Sequence, residues 1–233
     1  MGVKLDLNIQ PQPNDETCGP TCLHAVYRYF GHRIPLEKVI RDVPRLPGGG
    51  TLAVLLGCHA LRLGYRARIY SYNLNVFDPA WFSLSLPEIA AKLSAQRHFK
   101  TGARLRVSID AYLRFIELGG QLRFEDLNSG LIRKYLNRSL PILTGLSATY
   151  LYRSNREFGP TSDYDDVRGF PTGHFVVLSG YDRENRLVQI SDPLLPNPVS
   201  DTHQYAVGTD RLICAILLGI VTYDANLLII EPR

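Results

Sequence analysis

A cysteine at a predicted helix start is the first feature of this sequence that could do chemistry. Cys18 is followed by Gly19 and Pro20 and then by an apolar run with helical spacing, "CGPTCLHAVYRYFG" (18–31). Proline suits a first helical turn because its missing N–H would have no partner there, and the free N–H groups of a helix N-terminus stabilise an anion. The position favours a thiolate and predicts a nucleophile. A small buried cysteine is the alternative.

A nucleophilic cysteine needs a general base, and one histidine has a distinctive setting. His174 stands at the head of an apolar strand, "HFVVLSGYD" (174–182), directly after a glycine-containing loop. This places the imidazole at the edge of a sheet that faces a cleft, so we interpret His174 as the base. No comparable local feature marks the other five histidines, which are His24, His32, His59, His98 and His203.

An aspartate in the next predicted strand is the candidate to orient that histidine. The turn "DREN" leads into "RLVQISDP" (186–193), which ends near Asp192. A four-residue turn would pair Asp192 with Phe175, whereas a turn of three or five residues, or one bulge, would pair it with His174. The sequence alone leaves this register open.

The elements that must position these residues change in type along the chain. Residues 1–72 are helix-rich and carry the cysteine, residues 73–153 form a helical insertion that builds a cleft wall, and residues 154–233 form the sheet with the histidine and aspartate. Because helices dominate the early part of the chain and antiparallel strands the late part, the sequence predicts an α+β fold in one domain. The predicted helices are 18–31, 34–43, 51–64, 86–99, 107–120 and 129–139, and the predicted strands are 65–72, 140–153, 174–182, 186–193 and 226–232.

Composition and charge argue against several other classes of protein. A chain of 233 residues with 45% hydrophobic content can bury a core, and its net charge of +4 comes from scattered basic residues rather than a nucleic-acid-binding stripe. No charged-then-apolar leader precedes Cys18, and no apolar run reaches membrane length. Four cysteines are too few for a disulfide scaffold. We predict a cytoplasmic protein without nucleic-acid or membrane partners, with Cys22, Cys58 and Cys214 in its core.

Three motifs, in order along the chain, resemble one enzyme family. Gln12 stands six residues before the cysteine of "TCGPTCL", and "GHFVVLSGYD" and "ISDP" follow later. This set is similar to the papain-like cysteine peptidases, most closely their C39-like, bacteriocin-processing branch. The resemblance implies that Cys18 is the nucleophile, His174 the base and Asp192 the residue that orients it. It also implies that the Gln12 amide donates to the oxyanion, and it implies no cofactor or metal.

The resemblance says more about the active site than about the substrate. It implies cleavage of a peptide or amide bond through a Cys18 thioester, but leader-peptide specificity is not carried over, because the 73–153 insertion departs from the leader-trimming members. The same fold serves acyltransferases and transpeptidases, so acyl transfer is one alternative and a catalytically inactive peptide-binding module is another. A metal site at Cys18, Cys22 and His24 is a third, although C-x3-C-x-H is not a common zinc spacing.

The loop that precedes His174 is acidic and punctuated by glycine and proline, "FGPTSDYDDVRGFPTG" (158–173). One interpretation is a solvated loop. The other is a mobile flap whose aspartates select cationic or amine-bearing substrates, since loops on a rigid sheet often serve this purpose. The aspartates concerned are Asp163, Asp165 and Asp166.

Overall fold

Helices cover both faces of one large sheet in the computed structural model, which describes residues 2–233. The strands are β1 (Val3–Lys4), β2 (Arg66–Ser71), β3 (Gln121–Arg123), β4 (Ile142–Ser147), β5 (Glu157–Phe158), β6 (Asp163–Tyr164), β7 (Gly173–Asp182), β8 (Leu187–Ser191), β9 (Gln204–Gly208) and β10 (Asn226–Glu231). The helices are α1 (Cys18–Tyr29), α2 (Leu36–Asp42), α3 (Ala53–Arg62), α4 (Leu86–Phe99), α5 (Ala103–Glu117), α6 (Ser129–Leu136), α7 (Ala148–Tyr152) and α8 (Thr209–Leu218).

The sheet joins all three sections of the chain. Its strand order is β3-β2-β10-β4-β7-β8-β9, with β1 paired to β7. The C-terminal strand β10 lies between β2 and β4 and is antiparallel to both, while β2 and β3 are parallel. Strands β5 and β6 form a separate small hairpin. The arrangement confirms the predicted α+β class.

Alternation along β7 divides the interior into two cores. Phe175 and Val177 belong to a cluster with apolar residues of α1, α3 and α5, whereas Val176 and Leu178 belong to a cluster with residues of α6, α7 and α8. Because successive side chains of a strand point to opposite faces, a strand buried on both sides reads as a continuous apolar run. Each fully buried side chain of this size contributes about 1.5–3 kcal/mol, so β7 is firmly held.

Two local predictions differ from the structure. The strand predicted over 140–153 ends at Ser147, whose Oγ accepts a hydrogen bond from Tyr150 N at 3.3 Å and so caps α7. Cys214 is exposed rather than in the core, because it lies on the outer side of α8. No helix within residues 2–233 has the length and apolarity that crossing a membrane would require.

The middle section is less purely helical than its sequence suggests. Residues 73–153 contribute β3 and β4 to the sheet as well as helices α4 to α7. Helix α5 packs against both α3 and α4. The division of the chain into three parts stays a prediction.

Candidate active site

Cys18 is the first residue of α1, and no side chain caps the start of that helix. The Thr17 hydroxyl, which stands at the N-cap position, instead donates to the carbonyl of Asn14 at 2.9 Å. The N–H groups of the first turn therefore have no capping side chain and stay available for an anion. The helix start lies tightly on β7, since a Cβ atom added to Gly19 would lie 3.2 Å from the Phe175 ring.

His174 is the second residue of β7 and lies opposite Leu146 of β4. Its side chain is buried, and its Nε2 lies 2.8 Å from Asp192 Oδ1. Cys18 is close enough to the imidazole for its side chain to help raise the pKa of His174. The structure thus brings Cys18, His174 and Asp192 together, with His174 between the other two.

A bulge in β7 decides where Asp192 lies. The pairing of β7 with β8 shifts by one residue between Leu178 and Gly180. Continued beyond the end of β8, the shifted register places Asp192 opposite Val176, which shares a face with His174. This corrects both anticipated registers, because neither Phe175 nor His174 is the direct partner of Asp192. The contact with His174 is diagonal, which side chains of this length can span.

The Asp192 carboxylate is fully buried and fully partnered. Its oxygens accept hydrogen bonds from His174 Nε2 at 2.8 Å, Leu194 N at 2.9 Å, Tyr152 Oη at 2.7 Å and Tyr205 Oη at 2.6 Å. Burial acts to raise the pKa of Asp192, but the charge of His174 and the donated hydrogen bonds keep that pKa below its usual value. The carboxylate is therefore ionised at neutral pH.

The pairing with Asp192 has the opposite effect on the pKa of His174. Burial acts to lower the pKa of His174, but the charge and hydrogen bond of Asp192, together with the nearby Cys18 side chain, raise that pKa to about 10. The site therefore favours an imidazolium between a sulfur and a carboxylate. A charge pair of this kind is what an activated thiol nucleophile requires.

A cavity of about 520 Å³ opens beside His174, and Gln12 lines it. The Gln12 backbone N–H donates to the carbonyl of Pro193 at 2.9 Å, which ties this loop to the Asp192 segment. Its side-chain Oε1 is buried without a hydrogen-bond partner. Further lining residues come from α7, from the hairpin and from the loop after Asp192, and include Tyr152, Glu157, Tyr164 and Asn197.

Comparisons with known proteins agree with this architecture. Residues 6–103, less than half of the chain, match the peptidase C39 family. A C39-like protein from Bacillus anthracis shares 15% identity over 100% of this chain and 98% of that one, with a TM-score of 0.50, which shows the fold. The fold is C39-like.

Two further solved structures are similar to the C39-like chain. A double glycine motif protease from an AMS/PCAT transporter, solved with a leader peptide, shares 15% identity over 99% of this chain and 95% of that one, with a TM-score of 0.47. Xylellain, a cysteine protease from Xylella fastidiosa, shares 14% identity over 100% of this chain and 86% of that one, with a TM-score of 0.46. A search of curated protein sequences found no match.

The aspartates predicted to select substrates do not line the cavity of the C39-like protein. The Asp165 carboxylate already has partners within its own loop. It accepts hydrogen bonds from Val167 N and Arg168 N and forms an ion pair with the Arg168 guanidinium at 2.6 Å. The backbone and side-chain bonds from Arg168 lower its pKa. Asp163 and Asp166 are exposed. The acidic residues that do line the cavity are Asp15 and Glu157. A substrate-binding role for the three aspartates stays a prediction.

The residues of the alternative metal cluster have separate partners. Cys22 is buried with its Sγ 3.2 Å from the Phe175 carbonyl, and burial raises its pKa. His24 Nε2 bonds to the Ile34 carbonyl at 3.0 Å. Within residues 2–233, no three His, Cys, Asp or Glu side chains form a group that could hold a metal ion.

Sequence reasoning missed the two tyrosines that donate to Asp192. Tyr152 ends the short helix α7, and Tyr205 lies in β9, which was not predicted at all. Neither has a local signature. The available signal is general: a buried tyrosine needs a partner for its hydroxyl, and both residues lie in apolar surroundings.

Proposed function

We propose that the C39-like protein is a thiol-dependent hydrolase that cleaves a peptide or amide bond through a Cys18 thioester. The observation that carries this proposal is the buried His174–Asp192 hydrogen bond next to Cys18, beside a cavity large enough for part of a peptide. A structural cysteine would need neither a raised histidine pKa nor a buried carboxylate to support it.

In the first half of the proposed reaction, His174 carries the proton and Cys18 Sγ attacks as a thiolate. A C–S bond forms at the carbonyl carbon, and the π electrons move to the carbonyl oxygen. The backbone N–H of Cys18 and the side-chain amide of Gln12 donate to this oxyanion. His174 then gives its proton to the amide nitrogen, the C–N bond breaks, and the amine leaves a thioester behind.

In the second half, water attacks the thioester while His174 accepts a proton from it. The C–S bond breaks, the carboxylic acid product leaves, and the thiolate–imidazolium pair is restored. Asp192 keeps the imidazole oriented throughout and stabilises its charged form, and Tyr152 and Tyr205 hold Asp192 in place.

The proposal is tested by incubating purified protein with a peptide mixture and identifying cleaved bonds by mass spectrometry. Cys18→Ala should abolish cleavage, whereas the matched control Cys214→Ala, which removes an exposed thiol outside the site, should retain it. Cleavage that survives in Cys18→Ala would contradict the proposal.

An added amine separates the remaining alternatives. Hydrolysis yields a free acid, whereas a transferase yields an amide with the added amine in its place. A protein that binds peptides without cleaving them, and whose Cys18 forms no adduct with iodoacetamide, would be an inactive binding module. The cytoplasmic location and the absence of nucleic-acid and membrane partners stay predictions.

A further inference from the structure

The hairpin of β5 and β6 presents a carboxylate and an aromatic ring to the cavity beside His174. Glu157 of β5 and Tyr164 of β6 are directly opposite each other in the hairpin, so their side chains share one face, and both residues line the cavity. Cross-strand neighbours of this kind have Cβ atoms about 5 Å apart. The two side chains are therefore close enough to bind one group together.

Neither side chain has a partner of its own. Within residues 2–233, the Glu157 carboxylate and the Tyr164 side chain form no hydrogen bond, ion pair or ring contact. The backbone of Glu157 is fixed, however, because its N–H donates to the Phe170 carbonyl at 3.1 Å and its carbonyl accepts from Phe170 N–H at 2.8 Å. The neighbouring Arg156 donates to the Val167 carbonyl at 3.5 Å instead. The carboxylate is thus held at the cavity wall without a cation to neutralise it.

The opposite face of the same hairpin shows what such a pair of groups binds. There the Arg168 guanidinium lies over the Phe158 ring, with 4.5 Å between Cζ and the ring centroid, and pairs with the Asp165 carboxylate at 2.6 Å. Phe158 follows Glu157 in β5, and successive strand residues point to opposite faces. A guanidinium between a ring and a carboxylate gains both a cation–π attraction and a charge-assisted hydrogen bond. The cavity face has the same two kinds of partner, but residues 2–233 supply no cation to them.

The remaining cavity wall also suits a positive charge. Among residues 2–233, no lysine or arginine lines the cavity, and its second carboxylate, Asp15, is exposed. The lining residue His174 is itself paired with Asp192 at 2.8 Å. A cleft lined by one sign of charge concentrates ligands of the opposite sign.

We infer that Glu157 and Tyr164 form a subsite for a basic side chain, so that the protein cleaves peptides with an arginine close to the cleaved bond. The inference rests on the proposed function, because the cavity that contains this subsite also reaches His174. Glu157 accepts hydrogen bonds from the guanidinium, and the Tyr164 ring packs against its flat face. Arginine fits better than lysine, since its planar group both stacks on a ring and forms paired hydrogen bonds to a carboxylate.

The test compares peptides that differ at one position, which holds arginine, lysine or citrulline. Citrulline keeps the shape of arginine without its charge. The parent peptide is one whose cleavage requires Cys18, and its amino terminus is acetylated. The value of kcat/KM should be about five- to fiftyfold higher for arginine than for citrulline, with lysine between them. Glu157→Gln should lower the arginine value to the citrulline value and leave the citrulline value unchanged.

Tyr164 provides an independent pair of variants. Tyr164→Leu should remove the advantage of arginine over lysine, whereas Tyr164→Phe keeps the ring and should preserve it. Asp201→Asn is the charge control, because it removes an exposed carboxylate that does not line the cavity, and it should change none of these ratios.

Three results would overturn the inference. The first is an equal kcat/KM for the arginine and citrulline peptides, and the second is a full preference for arginine in Glu157→Gln. Should that variant not fold, an unchanged advantage of arginine over lysine in Tyr164→Leu would do the same. The third is a citrulline peptide with a free amino terminus that is cleaved as fast as the acetylated arginine peptide, which would assign the subsite to a terminal amine.

Protection of Cys18 from iodoacetamide separates this inference from the hydrolase proposal, because it needs no cleavage. Acetylated and amidated Ala-Arg-Ala should slow the alkylation more than its citrulline counterpart, and Glu157→Gln should remove the difference. Protection without cleavage of any peptide would refute the hydrolase proposal and leave the subsite intact. Cleavage without a preference for basic residues would refute the subsite alone.

Discussion

Asp192 and Asp224 are both buried carboxylates, but their surroundings shift their pKa values in opposite directions. Asp192 accepts four hydrogen bonds, and its pKa is lowered. Asp224 accepts one from Thr222, and burial raises its pKa to about 7. Asp192 is bonded to His174, whereas Asp224 lies against Gly145 and Gly173. Burial alone therefore does not set the charge of a carboxyl group, since the hydrogen-bond donors that reach it also shift its pKa.

The two regions also have different consequences for folding. The donors around Asp192 compensate its desolvation, so this charge is compatible with a stable interior. Asp224 lacks that compensation, so its ionised form opposes folding.

The largest expected effect concerns turnover. Asp192→Asn should reduce kcat/KM by about 10⁴, the size of effect seen when the aspartate that orients a catalytic histidine is replaced. Asp224→Asn should reduce it by no more than about tenfold, because its charge acts without a direct bond. Both variants are measured on a peptide whose cleavage requires Cys18. Equal losses would remove the distinction between the two carboxylates.

The next effect is on the free energy of unfolding and its pH dependence. Asp224 has a raised pKa in the folded state, so its favourable contribution is complete below pH 3.8 and disappears as pH rises to about 7. At pH 8, Asp224→Asn should therefore be more stable than wild type by about 2–4 kcal/mol, and the gain should vanish towards pH 4.

Asp192 should show the reverse dependence. Its pKa is lowered, so its contribution is present above pH 3.8 and is lost only as pH falls further. Asp192→Asn should lose about 3–5 kcal/mol at pH 8, because it breaks a buried charge pair. Urea unfolding at several pH values measures both variants. A stabilising Asp192→Asn, or a destabilising Asp224→Asn at pH 8, would reverse the comparison.

The Gln12→Ala variant shows whether turnover can fall while the surroundings of Asp192 and Asp224 stay the same. Gln12→Ala should slow turnover by about 10²–10³, the usual cost of one oxyanion donor, while Cys18 alkylation by iodoacetamide stays unchanged. The Gln12 backbone bond to Pro193 survives the substitution, so the Asp192 segment keeps its support. Gln10→Ala, an exposed position, is the control. Unchanged turnover would show that Gln12 only shapes the loop.

The smallest effect isolates a single donor. Tyr205→Phe removes one hydrogen bond to the Asp192 carboxylate and should cost about 1.5–3 kcal/mol of unfolding free energy. Tyr164→Phe changes an exposed hydroxyl of the cavity hairpin and should cost nothing measurable. Identical unfolding curves for the two variants would mean that the remaining donors suffice for Asp192.

Much of the fold could be predicted because its signals are local. Helix α4 runs over the predicted range 86–99, where Ser85 and Glu88 form a capping box. Strands β7 and β8 lie where apolar runs flank a polar turn. The strand predicted over 140–153 was too long because its apolar composition continues through α7. A short apolar run does not reveal whether it is strand or helix.

The sequence by itself determined that a cysteine begins a helix, that a histidine begins a strand and that an aspartate ends the next one. Spacing and composition within about ten residues suffice for that, since caps and periodicity act over one or two turns. Only the tertiary structure decided how these residues meet. The bulge in β7 sets the register of Asp192, and Tyr152, 40 residues away along the chain, supplies one of its donors. The Asp224 carboxyl group fits where it does because Gly145 of β4 and Gly173 of β7 have no side chains to displace it. Hydrogen bonds and excluded volume between distant segments leave no pattern in a single sequence, so their partners emerge only when the chain has folded.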